Sequence, residues 1–337
     1  LPIDDAINAI QKEGLKALLS SCRATALVGA GVSKWAGYPL WTELIALLVD
    51  FACEQNPDKQ AAIRAAATAP GADLLEIAQE LSSFLEPRLF KRFLTERLGN
   101  ENGRMHPVFE ATCAVPFRDI LTLNLDPMLE NAHFRQEIAV RAYSAAESGL
   151  VAPFLKSGDE AKHPRNLIYL HGRYSDPLET IALTKAGYDL LYKQLAFSTL
   201  MTAVAATRRV VFLGFGFEDK RVLEAFESTT SYLGDLTLCH YAILGFDETK
   251  VDSEERTRYR KSWNVQVVYY PLTPGHADGP HSQFPVLMQE LAGLDNRGVP
   301  AELVATPTVV QPPANFETLL ESINGPNLAT IRGDDRV

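Results

Sequence analysis

Four short segments of this sequence carry residue types that could do chemistry, and each directly follows an apolar run. The first is Gly29-Ala30-Gly31-Val32-Ser33, after the run at 24–28. Glycines at a strand-to-loop junction let backbone approach a phosphate closely, and N–H groups in such a turn bind the anion. A tight turn alone would use the same residues. A dinucleotide fingerprint would add a third glycine at position 34 and an acidic residue about 20 positions on. The chain has Lys34, and Asp50 sits inside an apolar helical stretch, so a dehydrogenase is disfavoured.

The second segment is Thr122-Leu123-Asn124-Leu125-Asp126-Pro127. Ligands of open α/β sheets bind beyond the carboxyl ends of strands, where Asn124 could orient a hydroxyl or a water. Asp126 before Pro127 also reads as a helix cap with a first-turn proline, which requires no chemistry. The third is His171-Gly172, where a histidine at a strand end is suited to proton transfer near neutral pH. The fourth is Gly214-Phe215-Gly216-Phe217-Glu218-Asp219, a second glycine turn for a phosphate or ribose, or else a helix start with Asp219 in its first turn. Each is weak singly. Their placement on four strands of one sheet is what ordinary turns and caps leave unexplained.

The elements that must position them follow from hydrophobic period. Strands are expected at 24–28, 118–123, 139–143, 166–170, 209–213, 239–244 and 264–270. Most of these runs are continuously apolar rather than alternating, which suits parallel strands covered on both faces by helices. The expected fold class is therefore α/β, a doubly wound, mostly parallel, Rossmann-like sheet. Residues 42–104 and 184–207 are helical patterns without strands, expected as an inserted helical layer over one edge of the sheet. The expected domain spans 1–295. Beyond it, Pro300, Pro307, Pro312 and Pro313 mark 296–337 as a linker or extension with a short amphipathic piece at 316–323. With no initiator Met, the chain is expected to be trimmed and to lead toward a missing domain.

The 337 residues carry 32 Lys plus Arg against 42 Asp plus Glu, a formal net charge of −10. An acidic surface disfavours nucleic acid as main partner, because phosphate binding draws on Lys and Arg. The one basic cluster, Arg256, Arg258, Arg260 and Lys261, adjoins Glu254 and Glu255 and reads as a solvated helix face. No apolar stretch is long enough to span a bilayer, so no membrane partner is expected. Cys22, Cys53, Cys113 and Cys239 are scattered, with no close pair for a zinc knuckle, which fits a reducing, cytoplasmic setting and no metal.

In their order along the chain these residues resemble the sirtuin family: Gly-Ala-Gly-Val-Ser at 29–33, Gly37-Tyr38-Pro39, Thr122-Leu123-Asn124-Leu125-Asp126, His171-Gly172 and Gly214-Phe215-Gly216. The likeness spans roughly residues 20–290. Sirtuin deacylases carry Asp-Phe-Arg where this chain has Leu40-Trp41-Thr42, and two CxxC pairs for a structural zinc that are absent here. The chain is thus more similar to the zinc-less, sirtuin-like effector domains of prokaryotic antiphage defence.

That resemblance implies NAD as substrate and hydrolysis to nicotinamide and ADP-ribose through an oxocarbenium-like transition state. By the same likeness Gly29, Ala30, Gly31 and Ser33 would hold the pyrophosphate, with Thr122 beside them. Gly214, Phe215 and Gly216 would border the adenosine half. Asn124 would orient the water or ribose hydroxyls, His171 would be the general base, and Asp126 would fix the nicotinamide side. Tyr38 and Trp41 would wall the nicotinamide pocket, or simply pack in the core. Regulation by homo-oligomerisation or by a C-terminal sensor or partner domain is expected of an enzyme that depletes a central cofactor. An NAD-dependent protein deacylase and a non-catalytic NAD or ADP-ribose sensor are the alternatives.

Overall fold

The seven apolar runs become seven strands: β1 (Ala24–Val28), β2 (Asp119–Thr122), β3 (Val140–Ser144), β4 (Arg165–Tyr169), β5 (Arg209–Leu213), β6 (His240–Phe246) and β7 (Val265–Pro271). They lie in one sheet, in the order β3-β4-β2-β1-β5-β6-β7, with every neighbouring pair parallel. The computed structural model describes residues 3–68, 73–99, 103–144, 165–217, 219–246, 251–276 and 279–293. The expected linker at 296–337 and the piece at 316–323 lie outside the described residues.

All five residues of β1 are buried, and side chains alternate between faces. Ala24, Ala26 and Val28 enter one core, while Leu27 enters the other with Leu121, Ile168 and Phe212. The first core is covered by α1 (Asp5–Ser20), α3 (Trp41–Gln55), α4 (Gln60–Ala67), α5 (Leu74–Ser83), α6 (Pro87–Leu98), α7 (Pro107–Ala114), α8 (Met128–Arg135) and α13 (Gln283–Ala292). The second is covered by α9 (Lys185–Lys193), α10 (Leu195–Thr207), α11 (Lys220–Leu233) and α12 (Asp252–Trp263). Between β1 and α3 the chain makes a short helical turn, α2 (Ala30–Ser33), which runs on into a 3-10 turn at Lys34–Ala36.

The expectation of one helical layer over one edge changes in two respects. Helices α3 to α6 cover the first face and α9 and α10 the second, because a sheet apolar on both faces needs cover on both. The second stretch is also two helices, broken at Gln194 in extended conformation, although neither proline nor glycine stands at the break. The two stretches still touch where α9 meets α5, Ala186 N donating to Gln79 Oε1 at 3.0 Å.

The basic cluster on α12 differs as well. Arg256 turns inward, 8% exposed, ion-paired to Asp252 at 2.6 Å and donating to the Val267 carbonyl, while Arg258 and Arg260 stay exposed. Among the described residues no single helix is long and apolar enough to cross a membrane.

Strand order fixes where a site can form. From β1 the chain moves to β2 on one side and later returns to β5 on the other, so the order reverses about β1. Such a reversal opens a crevice beyond the carboxyl ends of the flanking strands. The strands carrying the four singled-out segments, β4, β2, β1 and β5, are neighbours at this reversal.

Candidate functional site

Beyond β2, Asn124 reaches across to the loop after β1. Its Nδ2 donates to the Gly29 carbonyl at 3.0 Å and to Ser33 Oγ at 2.7 Å. Ser33 Oγ in turn donates to Asp126 Oδ2 at 2.5 Å, and Asp126 Oδ1 accepts from Met128 N at 3.0 Å. The capping reading changes: Pro127, not Asp126, takes the N-cap position of α8, while Asp126 holds the chain just ahead of it with one oxygen and binds Ser33 with the other. Thr122 supports the corner: its Oγ1 donates to the Val28 carbonyl at 3.2 Å and accepts from Asn124 N at 3.1 Å.

Ser33, Asn124 and Asp126 are 3%, 8% and 5% exposed. Burial pushes the Asp126 carboxyl above the usual carboxylate range, against the hydrogen bonds from Ser33 and Met128 that pull it down. Asn124 Oδ1 is buried and accepts no hydrogen bond from the described residues. A buried acceptor of this kind is costly unless a donor arrives, and a ribose hydroxyl or a water is such a donor. On this observation the corner fits a ligand hydroxyl or a water that donates one hydrogen bond to Asn124.

The glycines have a further reason to be glycines. Gly29 N donates to the Leu213 carbonyl at 2.9 Å, and Gly31 N to the Gly214 carbonyl at 3.0 Å, so the loops after β1 and β5 lie backbone to backbone. A Cβ on Gly29 would stand 2.6 Å from Gly214 O, and one on Gly31 2.9 Å from it. Gly214 has φ of +55°, and its Cβ would stand 2.5 Å from Val32 N. Close packing of two loops thus accounts for all three. Ala30 is half-buried beside them, Phe215 is buried against Phe212 and Phe217, and Gly216 is exposed.

His171, beyond β4, is joined to a different set of groups. Its Nε2 lies 3.2 Å from Tyr192 Oη and 3.5 Å from Asp219 Oδ2, and its ring packs edge-on against Tyr188 at 5.6 Å. Burial lowers the affinity of the imidazole for a proton, with the Asp219 carboxylate acting the other way. Gly172, at φ of +85°, lets the chain turn away directly after it. Tyr38 is 1% exposed in the first core and donates to the Gly99 carbonyl at 2.9 Å; Trp41 opens α3 half-buried against the same core. Lys34 is ion-paired to Glu43 at 2.5 Å, and Asp50 faces Arg64.

Residues 118–268 match the SIR2-like domain. The match runs from β2 into β7, and it supports a sirtuin-like family for this segment. SIR2-like domains bind NAD, so the match also suggests an NAD-related activity. No curated protein matches the chain.

The SIR2-like segment contains Thr122, Asn124, Asp126, His171, Gly214, Phe215 and Gly216 but ends short of Gly29, Ala30, Gly31, Ser33, Tyr38 and Trp41. Hydrogen bonds tie part of the second group to the first: Asn124 to Gly29, Ser33 to Asp126, and Gly31 to Gly214. Sequence reasoning overlooked Tyr188 and Tyr192. Their spacing of four residues places both rings on one helix face, 4.3 Å apart, and was the available signal. Asp219 stood out only as a first-turn acid. It caps α11 by accepting from Val222 N at 3.0 Å, and its other oxygen faces His171.

Proposed function

We propose that the protein binds NAD at the carboxyl edge of β4, β2, β1 and β5 and hydrolyses its nicotinamide–ribose bond, giving nicotinamide and ADP-ribose. The observation that carries this reading is the buried corner of Asn124, Ser33 and Asp126, with the unfilled Asn124 Oδ1, lying inside and against a SIR2-like segment. Nicotinamide departs as a neutral group, so the residues need to hold the dinucleotide, orient its ribose and admit one water.

In this reading Asn124 Oδ1 accepts from a ribose hydroxyl or the attacking water. His171, kept neutral by burial, takes a proton as general base, an effect worth about 10²- to 10⁴-fold. Ser33 orients Asn124 and holds Asp126, which lines the nicotinamide side together with Tyr38 and Trp41. Backbone of Gly29, Ala30 and Gly31 follows the pyrophosphate, while Gly214, Phe215 and Gly216 border the adenosine half.

The reading includes regulation, as a silent NAD-depleting effector of antiphage defence that is released by self-association or by a partner or sensor domain. The burial of Ser33, Asn124 and Asp126 supports a closed resting form. The same burial is compatible with a non-catalytic NAD or ADP-ribose sensor, and turnover separates the two. Purified protein is incubated with NAD, with and without concentration-driven assembly, and products are resolved chromatographically. Nicotinamide and ADP-ribose appearing in equal amounts without any acyl peptide support hydrolysis. Binding without turnover in every assembly state would replace it with the sensor, and a requirement for acyl peptide would replace it with a deacylase. A monomer that turns over NAD at full rate untriggered would remove the regulatory part.

A further inference from the structure

His171 is gripped from one side by groups of two elements, Tyr188 and Tyr192 of α9 and Asp219 at the start of α11. Asp219 Oδ1 is already occupied, accepting from Val222 N at 3.0 Å and from Tyr188 Oη at 2.5 Å. Its Oδ2 lies 3.5 Å from both Tyr192 Oη and His171 Nε2, and Tyr192 Oη lies 3.2 Å from the same Nε2. A carboxylate offers only lone pairs, and a phenol has one proton to give.

If Tyr192 gives its proton to Asp219, its oxygen presents a lone pair to Nε2, and Nε2 supplies the hydrogen. Every atom of the chain is then satisfied. If Tyr192 gives its proton to Nε2 instead, Asp219 Oδ2 faces two electron-rich atoms with no donor from either, in a largely buried setting where an unmet carboxylate oxygen is costly. The first arrangement is self-consistent and the second is not.

We propose that Tyr192 and Asp219 are positioning residues that fix His171 as the tautomer protonated on Nε2, leaving Nδ1 as the lone pair that receives a proton. Only the last clause rests on the proposed hydrolysis; the tautomer stands on the geometry alone. When Nδ1 takes a proton from a hydroxyl or water, the ring becomes a cation already facing the carboxylate through Nε2. Other charged groups on these two elements are Lys185, Asp189 and Lys193 of α9 and Lys220, Arg221, Glu224 and Glu227 of α11; Lys185 pairs with Asp189 at 2.7 Å, and Arg221 lies 3.5 Å from Asp189 and 5.9 Å from the centre of the Tyr192 ring.

The test is long-range proton–nitrogen NMR on protein labelled in histidine, with the His171 signals identified by their loss in His171→Gln. Above neutral pH the wild type is expected to show a protonated Nε2 and a bare Nδ1. Asp219→Asn, whose amide can donate where the carboxylate could only accept, should give a tautomer mixture, whereas Tyr192→Phe should keep Nε2 protonated, since Asp219 Oδ2 still faces it as an acceptor at 3.5 Å. A wild type protonated on Nδ1, or an unchanged pattern in Asp219→Asn, overturns the proposal. In the NAD assay Asp219→Asn should lower turnover by about 10²- to 10⁴-fold. It should also move the acid limb of the rate profile to lower pH, since the carboxylate favouring the charged ring is gone; a merely structural role would leave that limb in place. If the tautomer is as stated but NAD is never consumed, the hydrolase reading falls and the assignment stays.

Discussion

Ser33 is the residue on which the proposed site turns, because one hydroxyl accepts from Asn124 and donates to Asp126. Ser33→Ala leaves a buried carboxylate oxygen without its donor and the Asn124 amide with one of its two acceptors, the Gly29 carbonyl. The expected loss is about 1–3 kcal/mol in urea denaturation, with NAD turnover reduced as Asn124 loosens. An unchanged midpoint would mean that the corner is not held in this way. A second histidine behaves predictably at the same scale. His133 is completely buried; its Nδ1 donates to the Leu129 carbonyl at 2.7 Å, and its Nε2 faces an Arg165 nitrogen at 3.3 Å. Burial, with Arg165, favours the neutral ring and pushes its pKa down to about 4, against the Leu129 hydrogen bond, which acts the other way. A histidine depressed in the folded state favours unfolding once pH falls below its unfolded value near 6.5. Its contribution is therefore intact above that value and lost progressively down to about 4. Near pH 5 the loss from His133 alone is about 2 kcal/mol. Stability measured by urea at neutral pH and near pH 5 should fall by at least this much, buried His240 being depressed as well, and His133→Asn should make the fall smaller by about 2 kcal/mol; an equal fall in both proteins would refute the assignment.

The loops after β1 and β5 act as one element, since Gly29, Gly31 and Gly214 allow two backbones to touch. Gly29→Ala would drive a methyl to 2.6 Å from a carbonyl oxygen, so the loops must part. We expect a cost of about 1–3 kcal/mol in thermal or urea unfolding. A neutral Gly29→Ala would show that the loops are not in contact. The strands were legible because continuous apolar runs of five or so residues suit parallel strands buried on both faces, and all seven appear with ends shifted by at most two residues. The break at Gln194 was not legible, since no glycine or proline announces it. Nor was the inward turn of Arg256, because Val267, its carbonyl partner, is contributed by β7. The grip on His171 was hidden for the same reason: Tyr192 and Asp219 lie 21 and 48 positions away, and only the fold makes them neighbours.

For the molecule as a whole, strand order decides more than any motif. Reversal about β1 makes neighbours of β4, β2, β1 and β5, so segments nearly 190 residues apart meet at one edge. The sequence could show that four strand ends were polar or glycine-rich; it could not show that Asn124 and Asp126 meet at Ser33 while His171 joins Asp219 instead. The SIR2-like match covers only the later part of this edge, and the hydrogen bonds from Asn124 and Asp126 bring the first loop into the same corner. The measurement that tests the central claim most directly is product analysis of NAD incubated with the assembled protein, beside Asn124→Ala and His171→Ala. Equimolar nicotinamide and ADP-ribose from the wild type, reduced at least about 10²-fold in each variant, is the predicted result. Undiminished release in either variant of an otherwise active preparation, or intact NAD under every state of assembly, would contradict it.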